Sequence, residues 1–254
     1  MIFFAPAKIN IGLYITSKRA DCYHNLETVF YPIPLYDIVE IVEHSKLSIE
    51  EYGISSQSDF SQNLCIKAYN LLKNDFKLPN VKIFLLKNIP IQAGLGGGSS
   101  DAVAVLHLLN SKFDLQINET DLLNYALHLG SDCPFFINPK PYYASGRGEL
   151  LEDINISLNG KILYLVKPNV SISTAEAFKQ IFFTSNSNLK NNIQKDIKTW
   201  KKNINNTFQK VFFNTHFDMQ YIIKTLYDAG AIYTSISGSG STFYGIFDKE
   251  IDIA

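Results

Sequence analysis

The sequence lacks the patterns that would assign it at once to several common classes of protein. Its 254 residues contain no apolar run long enough to span a bilayer, and its 5 histidines and 3 cysteines form neither an HExxH nor a paired CxxC arrangement. An excess of charge of one sign is also missing, because 23 Lys and Arg residues face 24 Asp and Glu residues. These absences predict no membrane partner, no nucleic-acid partner and no metal ion held by the protein alone.

The cysteines and the N-terminal segment indicate the compartment. Cys22, Cys65 and Cys133 are odd in number and widely spaced, which favours reduced thiols over a disulfide framework. The segment MIFFAPAKIN lacks the charged leader, the long apolar core and the cleavage site of a signal peptide. We therefore expect a cytoplasmic protein.

Hydrophobic periodicity predicts strands and helices that are interleaved along the chain. Alternating and β-branched stretches predict strands over Ile9–Thr16, Glu27–Glu43, Val81–Leu86, Lys161–Val166 and Thr242–Phe247. Apolar residues at helical spacing predict helices over Asn63–Phe76 and Thr120–Leu129, and a further helix that begins near Ser99. Because helices separate only some of the strands, the pattern favours a mixed-sheet α+β fold over a regular parallel series.

Changes in composition indicate how the chain is divided. The chain becomes polar over Ile154–Asn159 before a fresh strand, which predicts an N-terminal domain over residues 1–156 and a C-terminal domain over residues 157–254. The stretch Thr184–Asn206 is rich in Asn and Lys and contains Trp200. It is interpreted as loop and exposed helix, with its charges on a solvated face.

The stretch Pro90–Asn110, PIQAGLGGGSSDAVAVLHLLN, concentrates glycine immediately before a predicted helix. A predicted strand precedes it, so the loop ends at a helix N-terminus, where unpaired backbone N–H groups and the helix dipole bind phosphate. No Lys follows the glycines as in a Walker A loop, and Ser99 stands where a Rossmann loop needs its last glycine. The pattern favours a phosphate-binding loop, and a flexible turn between two elements stays the alternative.

Three segments of the sequence resemble the three motifs of the GHMP kinases. They are PAKINIGLYIT (Pro6–Thr16), AGLGGGSSDA (Ala93–Ala102) and SISGSGSTFYGIF (Ser235–Phe247). The resemblance implies an α+β, two-domain GHMP kinase fold. In this fold, a ribosomal protein S5 domain 2-like N-terminal domain is followed by a ferredoxin-like C-terminal domain.

Three further segments are similar to one branch of these kinases, whose members act on cytidine diphosphate methylerythritol. They are RADCYHNLETVF (Arg19–Phe30), GSDCPFF (Gly130–Phe136) and KPNVSISTAEAF (Lys167–Phe178). The resemblance implies transfer of the γ-phosphoryl group of ATP, accompanied by Mg²⁺, to the 2-hydroxyl of the methylerythritol group. This reaction lies in the non-mevalonate route to isoprenoid precursors.

The resemblance also implies roles for residues at the phosphoryl-transfer end. It makes Asp132 the general base and Lys8 the cation that orients this base and stabilises the attacking oxygen. The ATP phosphates would contact the loop residues Ala93, Gly94, Leu95, Gly96, Gly97, Gly98, Ser99 and Ser100. The Ser100 hydroxyl is also a candidate contact for the metal ion or a phosphate. Without the resemblance, Lys8 would be read as a surface lysine and Asp132 as a capping residue.

Four residues match positions that contact the acceptor in this branch. Tyr23 and Phe178 offer two aromatic faces that can sandwich cytosine, and His24 can add a directional hydrogen bond. Asn10 lies two residues after Lys8 on the same strand face, so it is a further candidate contact. Without the resemblance, Phe178 would be a core residue, and Tyr23 and His24 would belong to a turn.

Three places depart from the pattern of the family. Cys22 stands where these kinases usually have Gly, so the turn must accept a Cβ atom, and Gln92 occupies a position that is commonly small. The segment Asn206–Gln209 differs from the usual Asn-Asp-x-Glu, and no active-site role is assigned to it.

Two other functions remain as alternatives at this point. Another GHMP kinase, of the mevalonate or homoserine type, would keep the glycine loop but would have no need of Tyr23, His24 and Phe178. A nucleotide-binding module without catalysis would have no need of Lys8 and Asp132.

Overall fold

The chain folds into two compact units, and each is built from separate stretches of the sequence. The computed structural model describes residues 1–54, 59–170, 177–178, 180–181, 183 and 187–251. The first unit comprises Met1–Lys8, Pro32–Ile91 and Gly96–Lys140. The second comprises Ile9–Tyr31, Gln92–Leu95 and Pro141–Ala254. The domain boundary expected after residue 156 stays a prediction.

Two long strands contribute residues to both units. They are β1 (Ile2–Lys18) and β2 (His24–Glu43), which pair with each other. The predicted strands Ile9–Thr16 and Glu27–Glu43 lie within them. β1 begins earlier than its sequence pattern indicated because Lys8 is buried together with Ala7 and Ile9 on either side of it, which hides the strand from a test of alternation.

The first unit contains β3 (Ser48–Gly53) and β4 (Val81–Lys87), which pair in parallel, and β4 also pairs with β2 in the antiparallel direction. The predicted strand over Val81–Leu86 is therefore present and one residue longer. Its buried side chains follow the period of two that a strand imposes, and they are Val81, Ile83, Leu85 and Lys87. The same period that buries three apolar residues thus places a lysine in the interior.

Three α-helices lie among the described residues of the first unit. They are α1 (Leu64–Asp75), α2 (Gly97–Lys112) and α3 (Glu119–Leu129). The side chain of Asn63 accepts a hydrogen bond from the backbone N–H of Cys65 and so begins α1. The same cap at Asn118, which accepts from the N–H of Asp121, begins α3 one residue before the predicted start at Thr120.

Helix α2 is apolar around most of its circumference, and it is buried along most of its length. A helix with this pattern belongs to a core rather than to a surface. It begins at Gly97, two residues earlier than expected, because Gly96 takes a left-handed conformation with φ 73° and turns the chain into the helix. The end of the glycine run is therefore the first turn of the helix itself.

The second unit contains two groups of strands. β5 (Tyr142–Ser145) pairs with β2 and with β6 (Leu150–Asp153), both in the antiparallel direction. A separate antiparallel sheet has the order β7 (Ile162–Val166), β9 (Phe243–Phe247), β8 (Tyr233–Ile236). The strands predicted over Lys161–Val166 and Thr242–Phe247 are both present in it.

Among its described residues, the second unit has helices both within the polar stretch of the sequence and after it. They are α4 (Leu189–Asn192), α5 (Trp200–Asn203), α6 (Thr207–Thr215) and α7 (Gln220–Asp228). The expectation of an exposed helix is wrong for Trp200, which is buried and packs edge-on to Tyr233 with ring centroids 5.7 Å apart. Its indole N–H donates to the carbonyl of Lys195, which satisfies the one polar atom of the ring.

Two predicted segments extend beyond the described residues. Residues 184–186 of the polar stretch lie outside them, as do residues 171–176 of the KPNVSISTAEAF segment. Across the helices of the part that is described, none combines the length and the apolar character needed to cross a membrane.

Candidate active site

A buried lysine and a partly exposed aspartate form an ion pair in the first unit. Lys8 lies on β1, and Asp132 lies in the turn that precedes a short 3₁₀ helix, Cys133–Phe136. The Nζ of Lys8 is 3.4 Å from an Oδ of Asp132, and the two side chains are 4% and 39% exposed. The pair therefore consists of a cation fixed in the interior and a carboxylate that solvent and ligands can reach.

Gly96 is packed closely against Lys8 and against Phe136, a residue of the 3₁₀ helix that follows Asp132. A Cβ atom at this position would stand 2.7 Å from the ring of Phe136 and 3.2 Å from the Cε atom of Lys8. Its left-handed φ of 73° is also a conformation that side chains rarely adopt. Glycine is therefore required at this position for two reasons: the backbone conformation disfavours a side chain, and there is no space for a Cβ atom. The requirement brings the end of the loop beside Lys8 and the GSDCPFF segment.

The first turn of α2 follows Gly96 directly. Backbone N–H groups at the start of a helix have no partner within it, so this turn is a site for anionic oxygens. The side chain of Ser99 forms a hydrogen bond with the thiol of Cys133. The buried Oγ of Ser100 has no hydrogen-bond partner within the described residues. A Cβ atom on Gly97 would approach Ile89 and Asp37, so this glycine serves packing inside the protein.

Cys133 stands next to Asp132 but is not a nucleophile. Its side chain is buried, and burial raises the pKa of the thiol to about 12. A thiol reacts as its thiolate, so this cysteine stays inert at neutral pH. All three cysteines are free, as expected for reduced thiols, and burial also raises the pKa of Cys65.

The first half of the glycine loop packs within the second unit. The Oγ of Ser237 donates to the carbonyl of Gly94 at 2.8 Å and accepts from the backbone N–H of Asn10 at 3.1 Å. A Cβ atom on Gly94 would stand 2.0 Å from the carbonyl oxygen of Ser237. Ala93 and Leu95 on either side are buried. The SISGSGSTFYGIF segment is thus the surface on which the start of the loop is built.

Asn10 is tied into the same region. Its side-chain amide donates to the hydroxyl of Thr28 at 2.9 Å, and that hydroxyl donates to the carbonyl of Gly12. The residue is almost fully buried. Its predicted role as an acceptor contact stays a prediction.

Asn206 is a buried residue that sequence reasoning left without a role. Its side-chain amide donates to the carbonyls of Ile236 and Gly238 at 2.8 and 2.9 Å. Its oxygen accepts the backbone N–H of Phe208 and caps α6. One side chain therefore joins a helix start to the loop that contacts Gly94. An Asn before an amphipathic stretch signals a cap, but only the fold reveals the second contact.

We expect Asn206→Ala to lower the free energy of unfolding by about 2–4 kcal/mol, because it removes a helix cap and leaves two buried carbonyls without their donor. Chemical denaturation of the purified protein measures the change. Asn203→Ala is the matched control, since Asn203 is exposed and its amide bonds only to neighbouring backbone. Equal losses in both variants would contradict the role of Asn206.

Two of the residues predicted to bind the acceptor are in contact with each other. The rings of His24 and Phe178 stack with centroids 4.9 Å apart and planes inclined by 22°. Phe178 also packs edge-on to Phe208 at 5.0 Å. Burial lowers the pKa of His24, and the nearby Lys18 ammonium adds to the effect, so the ring is neutral at physiological pH.

Tyr23 is in contact with a cation. Its ring is 55% exposed, and the guanidinium of Arg147 lies over it at 5.0 Å from the ring centroid. The preceding Cys22 adopts φ 67°, a left-handed conformation that explains why glycine is usual in this turn. Gln92 at the start of the glycine loop likewise adopts φ 51°. Both residues thus adopt a left-handed backbone conformation, which favours glycine, although each carries a Cβ atom.

Two family models match separate parts of the chain. The GHMP kinases N terminal domain matches residues 63–139, and the GHMP kinases C terminal domain matches residues 186–254. The first range includes the whole glycine loop and Asp132, and the second includes Asn206 and the Ser237 loop. The matches define the class as the GHMP kinases, and the predicted α+β, two-domain fold of that class is confirmed.

The relatives narrow this class further. A 4-diphosphocytidyl-2-C-methyl-D-erythritol kinase of Bacteroides fragilis is 47% identical over 98% of this chain and 93% of its own length. A crystal structure of 4-(cytidine 5'-diphospho)-2C-methyl-D-erythritol kinase is 27% identical, with a TM-score of 0.82 over 97% of this chain and 90% of that one. The chain belongs to the family of 4-diphosphocytidyl-2-C-methyl-D-erythritol kinases.

The likeness to other GHMP kinases is weaker. A homoserine kinase structure from Cytophaga hutchinsonii is 15% identical, with a TM-score of 0.68 over 97% of this chain and 86% of that one. This match shows a shared fold and no more. The alternative of a homoserine-type kinase therefore gains no support beyond the common architecture.

Proposed function

We propose that this chain transfers the γ-phosphoryl group of ATP to the 2-hydroxyl of 4-diphosphocytidyl-2-C-methyl-D-erythritol, in the non-mevalonate route to isoprenoid precursors. The observation that carries the proposal is the pair of Lys8 and Asp132 at 3.4 Å, with Gly96 packed beside it. A catalytic pair next to a phosphate-binding helix start is what phosphoryl transfer requires. The free cysteines fit a cytoplasmic enzyme.

Asp132 acts as the general base in this proposal. The exposed carboxylate accepts the proton of the acceptor hydroxyl while that oxygen forms its bond to the γ-phosphorus and the bond to the leaving ADP breaks. Lys8 approaches the carboxylate from the buried side, so it orients the base without blocking the hydroxyl. Its positive charge also stabilises the negative charge that develops on the attacking oxygen.

The first turn of α2 receives the phosphates of ATP. Its free N–H groups donate to phosphate oxygens, and the helix dipole favours their negative charge. Mg²⁺ would be held mainly by the phosphates, because the described residues contain no cluster of three acidic, His or Cys ligands. The buried Oγ of Ser100 has no hydrogen-bond partner within the described residues, so it is a suitable single protein ligand for Mg²⁺. When bound, the ion neutralises phosphate charge.

The cytidine end of the acceptor is assigned to the region of Tyr23, His24 and Phe178. The stack of His24 on Phe178 leaves no space for a base between these two rings, so a base must lie against the outside of the stack or on Tyr23. The exposed ring of Tyr23 is available for stacking, and the neutral His24 can donate or accept one directional hydrogen bond.

The test supplies the purified protein and Mg-ATP with four acceptors and measures ADP release. The acceptors are the cytidine-bearing compound, methylerythritol phosphate, mevalonate and homoserine. We expect turnover with the first and little with the others. Equal turnover with methylerythritol phosphate would overturn the assignment of the cytidine site. Turnover with mevalonate or homoserine alone would overturn the proposed substrate.

We expect Tyr23→Ala to raise the KM for the cytidine-bearing acceptor by about 5- to 150-fold, which corresponds to the 1–3 kcal/mol of one base–aromatic stack. The KM for ATP should hardly change. Because Tyr23 is exposed, its removal leaves the fold intact and makes this a clean binding test. Tyr221→Ala, at an equally exposed tyrosine of the second unit, is the control and should match the wild type. An unchanged acceptor KM in Tyr23→Ala would exclude stacking on this ring.

A further inference from the structure

Three charged side chains form a buried cluster that phosphoryl transfer itself does not use. Lys87, at the end of β4, contacts a carboxylate oxygen of Asp37 on β2 and one of Asp101 in α2, the latter at 2.6 Å. All three side chains are at most 5% exposed. Charged residues are almost never buried in this way unless they are paired, so the cluster has a specific purpose.

The cluster joins the segment that precedes the glycine loop to the helix that follows it. The second oxygen of Asp37 accepts the backbone N–H groups of Asn88 and Ile89 at 2.6 and 2.8 Å, just before the loop begins. Lys87 connects this carboxylate to Asp101, which lies immediately after Ser100. The chain leaves β4, forms the loop and returns to the same three side chains within 15 residues, Lys87 to Asp101.

Stability alone does not account for such a cluster. One ammonium faces two carboxyl groups in a dry interior, where ionised groups are costly to bury. One oxygen of Asp101 also has no hydrogen-bond partner within the described residues. Buried ion pairs are seldom better for stability than apolar packing of equal volume, whereas they are directional.

We propose that Asp37, Lys87 and Asp101 are positioning residues that set the distance and orientation between Asn88–Ile89, the segment that leads into the glycine loop, and the first turn of α2. The inference rests on the proposed function, in which that turn binds the phosphates of ATP. A cluster at the base of a loop built largely from glycine supplies the rigidity that the glycines lack. Ser100 is the neighbour of Asp101, so a shift of Asp101 moves its hydroxyl as well.

The test compares variants at Asp101 with a control on the same strand. Asp101→Ala removes the bond between Lys87 and α2, and we expect it to weaken Mg-ATP binding, measured by calorimetry, at least about tenfold. Its KM for the acceptor should stay within about twofold of wild type, because the acceptor site keeps its own contacts. Asp101→Asn keeps the size and an oxygen that can accept from Lys87, so it should restore most of the ATP affinity.

Lys82→Met is the matched control. Lys82 lies on β4 like Lys87, but its partner Glu50 is exposed, and their ion pair at 2.5 Å should contribute little. We expect wild-type ATP affinity in this variant. If Asp101→Ala does not fold, the double variant Lys87→Met with Asp101→Asn breaks the same connection while it roughly preserves the volume of both side chains, and Asp37 keeps its two backbone N–H donors. It should also lose about tenfold in ATP affinity.

The outcomes separate the inference from the function on which it rests. A folded Asp101→Ala or double variant that binds ATP within twofold of wild type would overturn the positioning role while leaving the kinase intact. An equal loss in ATP and acceptor binding would overturn it as well, because it would indicate a general structural defect. A wild-type protein that binds no ATP would overturn the proposed function instead.

Discussion

Asp132→Asn should lose turnover by about 10²–10⁴-fold while its KM values for ATP and for the acceptor stay close to wild type. The amide keeps the size of the carboxylate but cannot accept the proton of the acceptor hydroxyl. Because the side chain is 39% exposed, water can solvate the amide, and the amide oxygen can still accept a hydrogen bond from the buried Lys8. Single-turnover phosphorylation with saturating ATP measures the chemical step directly.

The control for this variant is Asp114→Asn, at an exposed aspartate of the same unit. It has the same change of charge and should keep full activity. Near-normal single-turnover rates in Asp132→Asn would remove Asp132 as the base. An increase in the KM for ATP with no change in the chemical step would instead assign Asp132 to nucleotide binding.

Gly96→Ala should lower kcat/KM by about 100-fold, which is the cost of displacing catalytic groups by roughly 1 Å. The new methyl group would stand 2.7 Å from Phe136 and 3.2 Å from the Cε atom of Lys8, so one of these side chains must move. Both neighbours belong to the catalytic region, and the loop itself receives ATP in the proposed mechanism. Steady-state kinetics and ATP binding by calorimetry measure the change.

Gly160→Ala separates the collision from the backbone strain. Gly160 has the same left-handed φ of 73°, but no atom lies within 4 Å of the position of its Cβ atom. Both variants therefore carry a similar backbone strain of about 1 kcal/mol. Only Gly96→Ala should lose activity. Comparable activity in the two variants would exclude the collision as a cause.

Hydrophobic periodicity predicted the long helices and strands but not the short strands. Strand β4 and helices α1 and α3 could be predicted because their apolar residues repeat over whole turns or several pairs of residues. Strands β5 and β6, with four residues each, are too short to display a period. Trp200 was misjudged because its burial depends on contacts made by distant residues, such as Tyr233, and not on the polar residues around it.

Some residues of the candidate site could be predicted from the sequence, and others could not. Motifs pointed to Lys8, Asp132 and the glycine loop, since these residues lie in segments whose order and spacing are specific. The sequence contains no sign that Asn206 bonds the Ser237 loop, or that Lys87 lies between two aspartates, because each partner is far away along the chain. Only the fold shows that a Cβ atom on Gly97 would approach Ile89 and Asp37.

By itself, the sequence determined the class of the protein, its α+β character and the residue types at the proposed site. The α+β character follows from the periods of the elements, whereas the class and the site residues follow from the resemblance of the motifs to those of the GHMP kinases. Only the tertiary structure decided that Lys8 lies 3.4 Å from Asp132, that His24 stacks on Phe178, and that a buried lysine joins Asp37 to Asp101. Such contacts arise when separate elements pack, and packing depends on shape and burial summed over the whole chain rather than on any one segment.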